Sequence, residues 1–264
     1  MEIVTGFLIF VLGMCFGSFI NMLVYRTAVS YGLMKKIKVK DDKYSFCDYC
    51  GTKLSWRENI PLLSWVLQSG KTKCCQKVLP VAYPFVELLT GILFMGQFLI
   101  LDFQLSGIAV VSFLIITLMI FSGVFDALYM ILPDFSTLLL LALALVLNLA
   151  NGNLFQDSRG YLWSTVGSGA FLGLLYIFTR GRGMGMGDVK LAFFMGALLG
   201  WPNILIAFYG AFISGAVYGL AMMATGRAGK KSLVPFGPFL LFGALLAWWF
   251  GGNVLDLFNK WLAY

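Results

Sequence analysis

The sequence predicts an all-α polytopic membrane protein with about eight transmembrane helices and one small cytoplasmic loop domain between the first and second spans. Three observations carry that reading. The 264 residues are 60% apolar and 12% charged, far from the balance of a soluble globule. Apolar runs of roughly 17–25 residues recur from end to end, each long enough to cross a hydrocarbon core of about 30 Å as a helix. The basic residues, finally, gather on one side of the alternation these runs create.

Splitting the chain at its charged and Gly/Pro-rich breaks places spans near residues 3–25, 81–101, 107–126, 134–150, 161–179, 188–200, 202–224 and 235–256. The first run, Ile3 to Val24, has no basic residue before it, and Tyr25-Arg26 stand where a secretory signal needs a small-residue cleavage site, so it reads as a retained span. The sixth is short and Gly-rich, which suits a helix that is tilted, broken or packed against neighbours rather than facing lipid. Segment 26–77 holds eleven basic residues: Arg26, Lys35, Lys36, Lys38, Lys40, Lys43, Lys53, Arg57, Lys71, Lys73 and Lys77. Arg180, Arg182 and Lys190, and then Arg227, Lys230 and Lys231, fall on the same side, leaving only Arg159 and Lys260 on the other. The positive-inside bias therefore makes the long loop cytoplasmic and puts both termini outside.

This divides the chain into a first span (1–26), a cytoplasmic Cys-containing loop domain (27–80) and a transmembrane core (81–264). The net charge of +7 serves membrane insertion and contact with the anionic inner leaflet of the bilayer, with Lys35, Lys36, Lys38 and Lys40 beside headgroups, rather than binding to nucleic acid. No internal repeat or low-complexity tract is visible.

Histidine is absent, which excludes Ser-His-Asp and Cys-His centres and leaves carboxylates as the leading acid–base candidates. Asp126, Asp134 and Asp188 stand at span ends on the cytoplasmic side. An ionised carboxylate within a helix in lipid costs roughly 2.5–3.5 kcal/mol, so each needs a partner or a wet cavity. Asp134 follows Pro133 and suits a capping or dipole role; Asp188, after a flexible glycine loop, reads equally well as a cap. Asp126 ends its span, where the helix dipole disfavours negative charge. Two carboxyls brought together in a poorly hydrated cleft do not both ionise readily, so one stays protonated while the other acts as base, as an aspartyl peptidase requires. Gly185 and Gly187 would let backbone approach backbone, which suits a substrate held as an extended strand.

The chain contains Gly17-Ser18-Phe19-Ile20-Asn21 with Tyr25-Arg26, then Glu58-Asn59-Ile60-Pro61-Leu62-Leu63-Ser64-Trp65, then Tyr83-Pro84-Phe85-Val86-Glu87-Leu88-Leu89. Asp126 with Leu132-Pro133-Asp134, Gly185-Met186-Gly187-Asp188 and Pro235-Phe236-Gly237-Pro238 follow. In that order, these strings resemble the type IV prepilin peptidases, membrane aspartyl peptidases that share a Gly-x-Gly-Asp motif with the presenilin and preflagellin peptidase groups. The resemblance implies a multi-pass enzyme of the bacterial cytoplasmic membrane, with Asp126 and Asp188 catalytic and Asp134 at a position not usually given the chemistry. It implies cleavage after a Gly at the cytoplasmic border of type IV prepilin or pseudopilin precursors, releasing a short basic leader from an apolar helix that commonly starts with Phe. Acidic groups such as Asp41, Asp42, Asp48 or Glu58 would then meet the leader.

Cys47-Asp48-Tyr49-Cys50-Gly51 in a reducing compartment reads as half a structural zinc site, because Cys-x-x-Cys-Gly forms a tight metal knuckle. Relatives carry a second Cys-x-x-Cys after a Gly-Lys or Gly-Arg pair. Here Gly70-Lys71-Thr72-Lys73-Cys74-Cys75 has Thr72 at the first cysteine position, Cys75 in place and Cys74 adjacent to it. Cys47, Cys50 and Cys75 with Cys74 as fourth ligand would close a tetrahedral thiolate site; a metal-free loop of reduced thiols is the other reading. Cys15 reads as a small apolar span residue. In bifunctional relatives this loop is linked to S-adenosylmethionine-dependent N-methylation of the new N-terminus. The sequence has no glycine-rich strand-to-helix fingerprint for that cofactor, so methyltransferase activity rests on resemblance alone. A transporter would require polar residues near midspan and repeat symmetry, whereas these carboxylates lie at one membrane edge. A non-catalytic scaffold of a secretion or pilus apparatus would leave them without a purpose.

Overall fold

The computed structural model describes residues 2–35, 37, 44–181, 183–226 and 234–262. Lys36, Lys38, Lys40, Asp41, Asp42, Lys43, Arg182, Arg227, Lys230 and Lys231 lie outside the described residues, and with them most of the basic segment expected beside headgroups. Among the described residues the regular secondary structure is helical apart from two isolated β-bridges in the polar loop. In order the helices are α1 (Glu2–Ser30), a 3-10 turn (Trp56–Asn59), α2 (Leu63–Leu67), α3 (Ala82–Ile100) and α4 (Gly107–Tyr129). There follow α5 (Asp134–Ala150), α6 (Asn153–Gln156), α7 (Ser158–Thr179), α8 (Met186–Leu199), α9 (Asn203–Ala224) and α10 (Gly237–Leu262).

A helix stands at each of the eight places where the sequence predicts a span. Six of them, α1, α3, α4, α7, α9 and α10, are long and apolar enough to cross a membrane. α5 has 17 residues and α8 has 14, so at about 1.5 Å per residue both fall short of the hydrocarbon thickness. α1 continues beyond Tyr25-Arg26 to Ser30, because backbone hydrogen bonding persists after the apolar run ends and stops only near Gly32, whose φ is +71°. Exposed apolar side chains such as Phe7, Phe85, Trp163, Leu220 and Leu257 are what a bilayer, rather than water, would cover. The chain is a multi-pass membrane protein.

Two compact units, Met1–Phe121 and Ser122–Tyr264, divide the chain within α4. In the first, α1 and α3 approach so closely that a Cβ on Gly17 would lie 2.6 Å from Glu87 Cα, and one on Gly13 would lie 2.8 Å from Gly91 Cα. Phe94 is fully buried here, stacked on Phe113 at 4.6 Å between ring centroids.

In the second unit α8 is the innermost helix. Nearly every residue from Asp188 to Leu199 is buried, Lys190 and Phe193 excepted, as expected of a helix that is apolar all round. Its exposed carbonyls are met by neighbours: Ser168 Oγ donates to Ala192 O at 2.8 Å and Asn148 Nδ2 donates to Ala197 O at 2.9 Å. The sixth apolar segment is therefore packed against other helices, as its shortness predicts.

Candidate functional site

Asp126 and Asp188 both lie in the second unit, 6% and 7% exposed. Each is held by a backbone N–H at the start of a helix. Gly185, just before α8, donates to Asp188 Oδ2 at 3.0 Å. Gly237, the first residue of α10, donates to Asp126 Oδ2 at 3.0 Å. A helix N-terminus carries partial positive charge, so α10 supplies Asp126 with the field that the C-terminal end of α4 denies it. Asp126 lies near enough to Asp188 for its charge to be felt there.

The glycines around this pair have separate jobs. A Cβ on Gly237 would sit 2.6 Å from Asp126 Oδ2, so only glycine lets the carboxylate reach that N–H. A Cβ on Gly187 would sit 2.9 Å from Leu132 Cβ, so Gly187 lets the Leu132-Pro133 turn pack on α8. Gly185 has φ −83° and ψ 158°, ordinary extended backbone, and its Cβ would stay 3.6 Å from Asp188 Oδ2. Close packing is thus a property of Gly187, against the Leu132 side chain, rather than of both motif glycines.

Asp134 behaves differently from the other two. It is the first residue of α5 and makes no side-chain cap; its Oδ1 instead accepts from Lys190 Nζ at 2.6 Å. The carboxylate is 68% exposed and the ammonium 40%. Of the capping or dipole role suggested by the sequence, the structure gives the place in the helix dipole, and adds an exposed ion pair between α5 and α8.

The cysteine loop belongs to the first unit and reveals a duplication that the sequence reading missed. Leu54 N–H donates to Ser45 O at 2.9 Å, and Leu79 N–H donates to Gly70 O at 2.7 Å. Phe46 bridges Lys53, and Lys71 bridges Val78. Cys47 N–H donates to Thr52 O and Thr72 N–H to Lys77 O, both at 2.9 Å; Gly51 N–H donates to Cys47 O and Gln76 N–H to Thr72 O, again both at 2.9 Å. Gly51 and Gln76 share positive φ, at +71° and +56°. The second knuckle is the first one shifted by 25 positions. Thr72 occupies the place of Cys47, receiving Lys77 N–H on Oγ1 at 3.0 Å with Cys75 Sγ at 3.1 Å.

The four thiols converge nonetheless. Cys47, Cys50, Cys74 and Cys75 sulfurs all lie within 4.8 Å of one another, with Cys47 and Cys75 at 3.9 Å and Cys50 and Cys74 at 3.3 Å. A tetrahedral site with metal–sulfur bonds of about 2.3 Å has edges of about 3.8 Å, so the set fits one ion with Cys74 in place of the missing thiol. Hydrogen bonding from the Thr52 hydroxyl and backbone N–H brings the Cys50 thiol down to about 6. The Thr72 hydroxyl likewise lowers Cys75, whereas burial raises Cys47.

The three N-terminal motifs meet beside this loop. Asn21 Nδ2 donates to Tyr83 O at 3.2 Å, Leu62 N–H donates to the buried Glu87 Oε2 at 2.8 Å, and Tyr83 Oη donates to Asp48 Oδ2 at 2.7 Å. Glu58 accepts from Ser55 N and Oγ at 2.8 and 2.6 Å, which caps the 3-10 turn. A cavity of about 370 Å³ opens among these residues.

Two segments match known families: residues 11–101 match the bacterial peptidase A24 N-terminal domain, and residues 113–220 match the type IV leader peptidase family. The prepilin leader peptidase/N-methyltransferase of Burkholderia pseudomallei (strain K96243) is 32% identical over 266 residues, 91% of this chain and 84% of the relative. The chain belongs to the type IV leader peptidase family. The leader peptidase/N-methyltransferase of Bacillus subtilis (strain 168) is 29% identical over 96% of this chain and 97% of its own length. That of Aeromonas salmonicida (strain A449) is 30% identical over 94% and 91%. No solved structure matches. Within the leader peptidase family match fall Asp126 and Asp188, while all four clustered cysteines fall within the N-terminal match.

Proposed function

We propose that this protein is a membrane aspartyl endopeptidase that removes the short basic leader of type IV prepilin or pseudopilin precursors after a Gly at the cytoplasmic membrane face, with Asp126 and Asp188 as its catalytic pair. The observation that carries the reading is a pair of buried carboxyls in one unit, each fixed by a helix N-terminal N–H at 3.0 Å. The family match and the relatives' names support the reaction and its substrate class. In this topology all eight apolar helices cross or line the membrane, and the basic loop faces the cytoplasm.

The chemistry follows from the pair. One carboxyl is ionised and takes a proton from water as its oxygen attacks the scissile carbonyl carbon; the other is protonated and donates to the carbonyl oxygen. The tetrahedral adduct then collapses: the C–N bond breaks, the proton taken from water passes to the departing amine, and the re-forming carbonyl returns its proton to the second carboxyl. The helix N-termini fix one oxygen of each carboxyl, leaving the other for water and substrate.

Cys47, Cys50, Cys74 and Cys75 hold a structural zinc ion in this reading. Four thiolates would leave no open position for catalysis, so a bound ion would have a structural role, joining the two knuckles. The relatives' names also carry N-methyltransferase, and we extend to this chain methylation of the newly exposed N-terminus. S-adenosylmethionine supplies an electrophilic methyl group when bound.

The test is cleavage of a prepilin-like precursor in membranes carrying the wild type, Asp126→Asn or Asp188→Asn at matched expression. Each substitution is expected to lower cleavage by about 10³-fold or more, since each removes a proton acceptor or donor. Near-normal cleavage by either variant would remove that residue from the catalytic pair.

A further inference from the structure

We propose that α2 is a membrane anchor whose apolar face enters the leaflet beside the loop, with basic residues beyond both of its ends taking anionic headgroups. Leu63, Val66 and Leu67 recur at spacings of three and four residues, so they share one side of the helix. They are 49%, 62% and 73% exposed, a bare apolar face in a segment that its sequence assigns to a cytoplasmic loop domain. Trp56, in the 3-10 turn just before, is equally bare, with Arg57 Cζ 5.2 Å from the centre of its ring.

Hydrogen bonds place this face at the membrane border. α3 has 19 residues, about 28 Å at about 1.5 Å each, so it needs nearly its whole length to cross a core of about 30 Å. Its first residue, Ala82, therefore lies at the hydrocarbon edge. Leu62, which leads into α2, donates its N–H to Glu87 Oε2 at 2.8 Å. Glu87 lies within α3, about 7.5 Å along the axis from Ala82. Beyond the other end of α2, Leu79 N–H donates to Gly70 O at 2.7 Å, just before α3 begins. The helix is thus tied at one end to the second turn of α3 and at the other to the approach to it. That is the depth at which an interfacial helix lies, its apolar face about 5–10 Å into the boundary of headgroups and acyl chains. Val81 and Phe85, both exposed, carry the same bare surface on into the span.

Charge favours a lipid surface over a protein as the occupant. Arg57 precedes α2, Lys71 and Lys73 follow it, and all three are exposed. Lys71 N–H donates to Gln68 O at 3.0 Å, against the end of the helix. Lys73 lies near enough to Glu58, beside Arg57, for its charge to be felt there. Long basic side chains reach from such a place to phosphate while their stems rest on apolar surface, and Trp favours the same boundary. An apolar face with a basic rim is the composition that anionic leaflets attract.

The test places the fluorescent residue dansylalanine at position 67 of the full-length protein, where the side chain is exposed, and reconstitutes it in phospholipid vesicles. Nitroxides attached near the top of the acyl chains are expected to quench its emission by roughly half, nitroxides near the chain ends less, and dissolved iodide hardly at all. A nitroxide carried by phosphatidylglycerol should quench roughly twofold more than one carried by phosphatidylcholine, and the triple variant Arg57→Gln, Lys71→Gln, Lys73→Gln should lose that preference. Strong quenching by iodide with none by the lipid nitroxides would overturn the anchor and leave the face to water or a soluble partner. Insensitivity to both would overturn it too, and assign the face to a second copy of the chain. Equal quenching by the two headgroup classes in the wild type would overturn the role of the basic rim. Precursor cleavage enters none of these readouts, so the peptidase reading stands or falls separately.

Discussion

Asp126 and Asp188 are held by one device drawn from two different sources. Each accepts a single N–H at 3.0 Å from the start of a helix, but the donor to Asp188 is three residues away and the donor to Asp126 is 111 residues away. The first arrangement forms whenever α8 forms. The second exists only when α10 has docked with its N-terminus against the end of α4. A pair that is symmetric in chemistry is thus asymmetric in construction, and the carboxyl supported by tertiary packing is the one that small structural changes should reach.

Glycine substitutions next to each carboxyl give the sharpest test of that asymmetry. In Gly237→Ala the new Cβ would lie 2.6 Å from Asp126 Oδ2, so the carboxylate must move off the N–H. Displacement of a catalytic group by about 1 Å can cost about 10²-fold, and a loss of that order in precursor cleavage is expected, with the protein still folded. Gly185→Ala places a Cβ 3.6 Å from Asp188 Oδ2 on ordinary extended backbone, so cleavage should stay within about twofold of wild type. Equal losses in the two variants would show that the glycines matter for something other than room beside the carboxyls.

The same division between neighbour and distant effects decides what the sequence made legible. All eight apolar helices could be located, because hydropathy is a local property, and packing of α8 against its neighbours was one of the readings that its shortness and glycines allowed. Asp188 was recognisable as a helix-start carboxylate from its own motif. The partner of Asp126 was not, although Gly237 stood in a quoted motif, because nothing local ties residue 126 to residue 237. Glu87 and the Tyr83–Asp48 hydrogen bond were hidden for the same reason. The knuckle duplication stayed invisible because backbone hydrogen bonds build it; Ser45–Leu54 and Gly70–Leu79 share only their cysteines at 50 and 75 and their leucines at 54 and 79. Thr72 was correctly seen as out of place, but only the fold shows Cys74 reaching the cluster.

That rearranged knuckle is the next test in order of effect. Cys74→Ser should weaken zinc binding by roughly one to two orders of magnitude in chelator competition, since one of four thiolates is lost. Adding Thr72→Cys to that variant should recover most of the affinity, because Thr72 already occupies the position that Cys47 holds in the first knuckle. Unchanged affinity in Cys74→Ser would leave Cys74 outside the site. Failure of the double variant to recover would mean that the Thr72 side chain cannot reach the ion.

The smallest effect belongs to Asp134, the acidic residue nearest in kind to the proposed catalytic pair and unlike it in setting. Its 2.6 Å contact with Lys190 joins α5 to α8 two residues beyond Asp188, but both side chains are substantially exposed. Exposed pairs contribute about 0–1 kcal/mol and weaken with salt. Asp134→Asn should therefore lower thermal stability slightly, by less at high ionic strength, and leave most precursor cleavage intact. Lys190→Met should match it, because either change removes the same pair. If Asp134→Asn instead lost as much cleavage as Asp126→Asn at matched expression, exposure would have misled, and a carboxylate held by a single surface lysine would have to be counted with the two held by helix N-termini.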